Sequence, residues 1–170
     1  MKLKSIMLVA TLFVLSAFAG AQNFSNNYFS ATFAGPVTVD NVRRNNENTS
    51  SEYVYEASTN NVYQTIDVRL VDHDIPVGLS STEWYANDQD AQMAKQFPGA
   101  VEVNRSNGTY QGHPFTYICI RYTYEGTEYT QRRRMIYISQ REVYFITQTS
   151  RLSYDDNADF ATLEQLNIIR

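Results

Sequence analysis

The alternation of apolar and polar residues is clearest from Asn61 to Val71. Val62, Ile66, Val68 and Leu70 fall on one side there, and Tyr63, Thr65, Asp67 and Arg69 on the other. A period of two predicts a β-strand with one buried face, and only Gln64 breaks it. Glu52 to Ala57 predicts the preceding strand. Ser58-Thr59-Asn60-Asn61 supplies the turn between them, because asparagine tolerates left-handed backbone angles. Phe29 to Asp40 predicts one or two short strands, bent at Gly35-Pro36. In the second half, Phe115 to Tyr124, Thr127 to Ile138 and Glu142 to Thr149 are dense in Tyr, Ile, Val and Thr, which suit a pleated surface. Glu125-Gly126 and Ser139-Gln140-Arg141 are short enough to make both connections hairpins. The apolar residues of this meander occur at both parities, which predicts cover on both faces of the sheet.

Two segments carry a helical signal. Ser80-Ser81-Thr82-Glu83 matches a capping box, Trp84, Ala91, Ala94 and Phe97 follow as a modest apolar stripe, and Pro98-Gly99 stops the run. Asp155 to Leu166 has acids in its first turn, which complement a helix dipole, and Phe160, Leu163 and Leu166 along one side. Asn41 to Glu52 is the most polar stretch and predicts an exposed loop rather than a domain boundary. Antiparallel strands flanked by two helices define an α+β class.

The start of the chain follows another logic. Lys2 and Lys4 precede an apolar run from Ile6 to Ala19, which is shorter than the roughly 20 residues of a stable membrane span. Ala19-Gly20-Ala21 then offers the small residues a signal peptidase needs. The pattern predicts a signal peptide over residues 1–21, cleavage after Ala21, and a single domain over residues 22–170 that is secreted or periplasmic. No cysteine stands at the cleavage site to accept lipid. Loss of Lys2 and Lys4 lowers the basic residues from 14 to 12 against 18 acidic ones, so the net charge moves from −4 to −6. An acidic chain of this kind has no bulk attraction to nucleic acid or to anionic membranes. Cys119 is the single cysteine, so no intramolecular disulfide can form. Its apolar neighbours in Tyr117-Ile118-Cys119-Ile120 predict a small buried hydrophobe rather than a reactive thiol.

Candidate chemistry is sparse. G-x-S-x-G, P-loop, G-x-G-x-x-G, H-E-x-x-H and C-x-x-C patterns are all missing, and the residues point to no cofactor. His73 lies between Asp72 and Asp74, but neighbours on an extended chain point to opposite sides, so at most one aspartate could join it. His113 in Gly112-His113-Pro114 reads as a turn into a strand. Asp155-Asp156-Asn157-Ala158-Asp159 opens like a calcium loop. Phe160 then replaces the needed glycine, and Leu166 the bidentate glutamate, so a helix start is the better account and no metal is expected. Arg132-Arg133-Arg134 is the most distinctive charged feature. On a strand, Arg132 and Arg134 share a face and, with Arg121 on the preceding strand, could bind carboxylates, sulfates or phosphates. The competing account is that long arginine stems cover the sheet and pair with acids. Thirteen tyrosines raise a glycan-binding alternative, although tyrosine is also an ordinary strand residue.

Phe29 to Val39 (FSATFAGPVTV) resembles the opening strand pair F-x-x-x-F-P-G-P of small exported bacterial proteins with a PsbP-like fold. Gly112-His113-Pro114 before a long strand resembles that group's G-x-P-G segment. Arg134-Met135-Ile136-Tyr137-Ile138 with Arg141-Glu142-Val143-Tyr144 is similar to its paired R-x-Y-L and R-L-Y strands, and the last helix matches its closing segment. Ala34 and Phe115 depart from the pattern. PsbP itself is an extrinsic accessory protein of photosystem II. The resemblance implies an α/β/α sandwich around an antiparallel sheet and a non-catalytic binding or accessory role, with no catalytic set to transfer. The leading expectation is therefore a non-enzymatic binding domain for a protein or anionic partner. A hydrolase-like enzyme using His73 with Asp72 or Asp74, and a glycan-binding module, are the alternatives.

Overall fold

The computed structural model describes residues 20–44, 50–71 and 79–169. The elements run β1 (Gln22–Ser25), β2 (Phe29–Phe33), β3 (Val37–Arg44), β4 (Ser50–Ser58), β5 (Val62–Val71), α1 (Leu79–Gln96), β6 (Val101–Tyr110), β7 (His113–Tyr124), β8 (Thr127–Ser139), β9 (Glu142–Arg151), α2 (Asn157–Leu163) and β10 (Asn167–Ile168). Seven strands form one sheet in the order β3-β4-β5-β9-β8-β7-β6, and β1-β2-β10 form a second, small sheet. Every described pair is antiparallel. The chain leaves β5 at the middle of the large sheet, starts again at its far edge with β6, and returns through the meander until β9 pairs with β5.

The predicted turns close, but at the β4–β5 turn neither Asn60 nor Asn61 takes the left-handed angle expected of it, and a threonine side chain closes it instead. Thr59 Oγ1 accepts from the backbone N–H groups of Asn61 and Val62, both at 3.2 Å, which fixes the β4–β5 turn. Glu125 and Gly126 have φ of 48° and 76°, the double left-handed conformation of a two-residue hairpin. A Cβ at Gly126 would meet nothing within 4 Å, so only backbone strain opposes a side chain there. Gly126→Ala is therefore expected to lower stability by roughly 1 kcal/mol, read as a shifted denaturation midpoint with unchanged slope.

The large sheet is covered on both faces. On one side Phe29, Phe33, Tyr55, Ile66, Val68, Ile136, Tyr144, Ile146, Phe160, Leu163 and Leu166 pack between it, the small sheet and α2. On the other, Ala86 and Met93 of α1 pack on Ile118, Ile120, Tyr122, Met135, Val143 and Phe145. This is an α+β architecture, an antiparallel sheet flanked by helices, as expected. The layer on the α2 side is not helix alone, because β1, β2 and β10 complete it.

Five details differ from the reading of the chain. Strands β1 and β6 carry no clear alternation and were not expected. Helix α1 begins at Leu79, which puts Ser80 inside the first turn instead of at the cap. Its buried stripe is Thr82, Ala86 and Met93, while Trp84 is 62% exposed. A small stripe is enough because the sheet below supplies the apolar side chains, and Thr116 meets the Thr82 hydroxyl at 2.7 Å. Helix α2 is shorter than Asp155 to Leu166, and the chain re-enters a strand at Asn167. The predicted polar loop is also shorter than Asn41 to Glu52, because β3 continues to Arg44 and β4 begins at Ser50, pairing Arg44 with Ser51. Asn45 to Thr49 between them, and Asp72 to Asp74, lie outside the described residues.

Candidate functional site

Alternation along β8 sends Arg132 and Arg134 to the α2 side and Arg133 to the α1 side. Arg133 donates to Thr147 Oγ1 at 2.9 Å and to Gln89 Oε1 on α1. Arg132 pairs with Asp156 at 2.8 Å, and Arg134 with Glu164 at 2.7 Å. Those acids flank α2, one at its N-cap and one at its C-cap. The helix is thus held to the sheet at both ends, with Phe160 and Leu163 buried between the two pairs. The Arg134 guanidinium also lies over the Phe115 ring, 4.5 Å from its centroid. Phe115 can lie flat because Gly108 stands beneath it; a Cβ at that glycine would come within 2.9 Å of the ring.

Asp156 is 3% exposed, and its carboxylate is fully occupied. Besides Arg132 it accepts from Gln148 Nε2 at 2.9 Å and Ser150 Oγ at 2.7 Å. Its side chain is thereby drawn away from the helix end, and α2 has no side-chain cap of its own from Asp156. Gln148 Oε1 in turn accepts from Gln64 Nε2 at 2.6 Å, and Gln64 Oε1 accepts from the Ala34 N–H at 2.7 Å. One hydrogen-bonded chain therefore crosses the sheet from the β2–β3 corner to Arg132. Gln64, the residue that breaks the period of β5, is wholly buried as its first link. Burial raises the Glu164 carboxyl above its ordinary range, against the pull of Arg134 and Arg132.

Arg121 sits opposite Thr130 and two residues beyond Cys119, whose own partner is Arg132. It therefore shares the face of Arg132 and Arg134, but it is exposed, and no ion pair holds it among the described residues. The structure thus brings together the three arginines singled out in the sequence, with two anchored and one presented to solvent. Cys119 is free and buried among them; burial raises its thiol, so Arg132 and Arg121 do not make it a thiolate.

The other candidates are dispersed. His73, Asp72 and Asp74 lie outside the described residues. His113 heads β7 opposite Tyr110. Asp155 accepts from Asn157 at its backbone (3.2 Å) and side chain (2.6 Å), Asp159 accepts from the Tyr154 hydroxyl at 2.9 Å, and Asp156 turns inward, so the three carboxylates do not converge. Most of the tyrosines divide between the two cores. Tyr55 meets Phe29 at 5.1 Å between centroids on one side, and Tyr122 stacks on Phe97 at 4.3 Å on the other. Sequence reasoning missed Glu164 and Gln148 and read Asp156 only as part of a helix start; the irregular Gln64 was the one signal that pointed to them.

Comparison with protein-family models gives no match, and comparison with curated proteins gives none either. Among solved structures, the chain is similar to cyanobacterial PsbP (CyanoP) from Synechocystis sp. PCC 6803. The TM-score is 0.61 and the identity 11%, with 89% of this chain and 94% of that one covered. It is more distantly similar to PA94, a protein of unknown function from Pseudomonas aeruginosa (TM-score 0.43, 15% identity, 86% and 90% covered). LpqN of Mycobacterium tuberculosis, involved in cell envelope biogenesis, gives a TM-score of 0.45 at 16% identity, with 88% and 91% covered. The chain has a PsbP-like fold. Among the described residues, no helix is long and apolar enough to cross a membrane.

Proposed function

We propose that this chain is an exported, non-enzymatic binding or accessory domain that receives an anionic group of its partner on the arginine face of the large sheet. Export rests on the charged, apolar and small-residue zones of the first 21 residues. The observation that carries the binding reading is the placement of Arg121. It is exposed beside Arg132, whose guanidinium is already oriented by a buried carboxylate. A carboxylate, sulfate or phosphate would meet Arg121 first and gain the outer edge of Arg132 without disturbing the Asp156 pair.

The test needs a substitution that leaves the anchored pairs intact. Arg121→Ala is expected to weaken retention on immobilised dextran sulfate about fivefold, the worth of roughly 1 kcal/mol, and to flatten the salt dependence. The melting temperature should be unchanged. Elution at the wild-type salt concentration would remove Arg121 from the binding surface. A pull-down from the extracytosolic fraction, with wild-type and Arg121→Ala baits compared, then identifies a physiological partner by its dependence on this side chain.

A further inference from the structure

Strand β6 is the outer strand of the large sheet and is exposed along most of its length. A bulge between Glu102 and Asn104 shifts its alternation, so Glu102 and Arg105, three residues apart, both face the α1 side. Arg105 is the hub of the contact. Its Nε donates to both Glu102 oxygens at 3.0 Å, its Nη1 to Asn87 Oδ1 at 2.8 Å, and its Nη2 to Asp90 Oδ2. Two carboxyl groups therefore close on one guanidinium. Both reach the same Arg105 nitrogen, Nη2, which crowds them against one another, while Asp90 Oδ1 is shut from water with no donor among the described residues. Two carboxylates in contact repel unless a proton lies between them.

We propose that Asp90 and Glu102 share one proton, and that this proton together with Arg105 forms a pH-sensitive latch holding edge strand β6 to helix α1. Glu102 keeps its charge because Arg105 engages both its oxygens, which holds its carboxyl below the ordinary range. The proton therefore resides on Asp90, whose O–H donates to Glu102. Burial first, and then the contact with Glu102, push Asp90 up to about 7, against the pull of Arg105. Among the described residues the other charged groups of the surrounding elements are engaged or placed elsewhere. Strand β7 presents Ile120 and Ile118 opposite Glu102 and Arg105, and on β8 Arg133 is turned to Gln89 and Thr147. On α1 itself, Glu83 accepts from Asn107, Asp88 accepts from Gln92, and Lys95 lies in the last turn.

The sign follows from the raised value. In a released strand Asp90 titrates near its ordinary 3.8, so the latched form keeps a proton that the released form has lost as pH rises toward about 7. Latching is strongest below the ordinary 3.8, weakens steadily as pH rises from there, and has lost the proton's contribution by about 7. Above that, two negative charges face one positive charge and β6 loosens from the helix. An edge strand that can be loosened is also one that can accept or exchange a pairing partner.

Hydrogen–deuterium exchange of the β6 amides, corrected for intrinsic base catalysis, tests the latch in the full chain. Protection of β6 should fall about tenfold from pH 5 to pH 6, the slope of one linked proton, and level off above about 7, while amides at the centre of β9 keep theirs. Asp90→Asn, a neutral isostere, should make the β6 profile flat. Flat protection in the unsubstituted chain, or an unchanged slope in Asp90→Asn, overturns the proposal. Carbon-13 titration of the Asp90 carboxyl in the unsubstituted chain decides the matter even if the variant does not fold. A midpoint near 7 supports the shared proton, and one below 5 excludes it.

Discussion

Asp156→Ala is expected to destabilise the fold by about 3–5 kcal/mol, the range seen when one partner of a buried ion pair is removed. The size follows from how completely the carboxylate is used. Arg132, Gln148 and Ser150 all donate to it, and the buried Gln148 and Ser150 have no solvent to turn to if it is lost. Truncation strands a guanidinium on the sheet face and breaks the relay through Gln148 to Gln64. It also frees the N-terminal end of α2, whose Phe160 and Leu163 close one core. Equilibrium urea denaturation measures the loss. Asp156→Asn, which keeps the shape and one acceptor, should fall between the two, and Asp155→Ala, at an exposed position, should change stability by less than about 0.5 kcal/mol. A loss below 1 kcal/mol for Asp156→Ala would show that the relay does not hold the C-terminal segment.

The second large effect concerns the small sheet. Phe29→Ala should cost about 3–5 kcal/mol, as for other buried aromatic truncations. Phe29 has no exposed surface, and its ring meets Tyr55 at 5.1 Å, Phe24 at 6.0 Å and Tyr144 at 6.4 Å. Those partners come from β1, β4 and β9, so one side chain joins the small sheet to the large one. The cavity cannot close easily, because β2 is held on both sides, by β1 and by β10. Calorimetry should show one cooperative transition moved to lower temperature. A separate low-temperature step would mean that the small sheet melts on its own and is not part of the cooperative unit.

Much of this architecture was legible in the chain. Strands β5, β7, β8 and β9 announce themselves because a buried pleated face needs β-branched and aromatic residues, and the β7–β8 hairpin because Gly126 accepts a left-handed angle. Strand β6 escaped notice because Val101 to Tyr110 is an edge, with polar residues toward both layers, so no alternation survives. Strand β1 has a single large apolar residue, Phe24, in four. Of the stripe expected on α1, only Phe97, just past its end, packs on the core; Trp84 and the alanines looked apolar, while the side of the helix that packs is built of Thr82, Ala86 and Met93.

For the candidate site the division is sharper. The sequence by itself determined that Arg132 and Arg134 share a face, since the strand period allows nothing else. It also determined the acidic balance, the single cysteine and the pattern that predicts export. Only the tertiary structure decided what those arginines meet, because Asp156 and Glu164 follow 24 and 30 positions later and reach β8 through the docking of α2. It likewise decided that Arg121 is the side chain left facing solvent, and that Asp90 and Glu102 fall against one another across a helix and an edge strand. Local periodicity sets which way a side chain points; its charge partner is set by contacts distant in sequence, which no local pattern encodes.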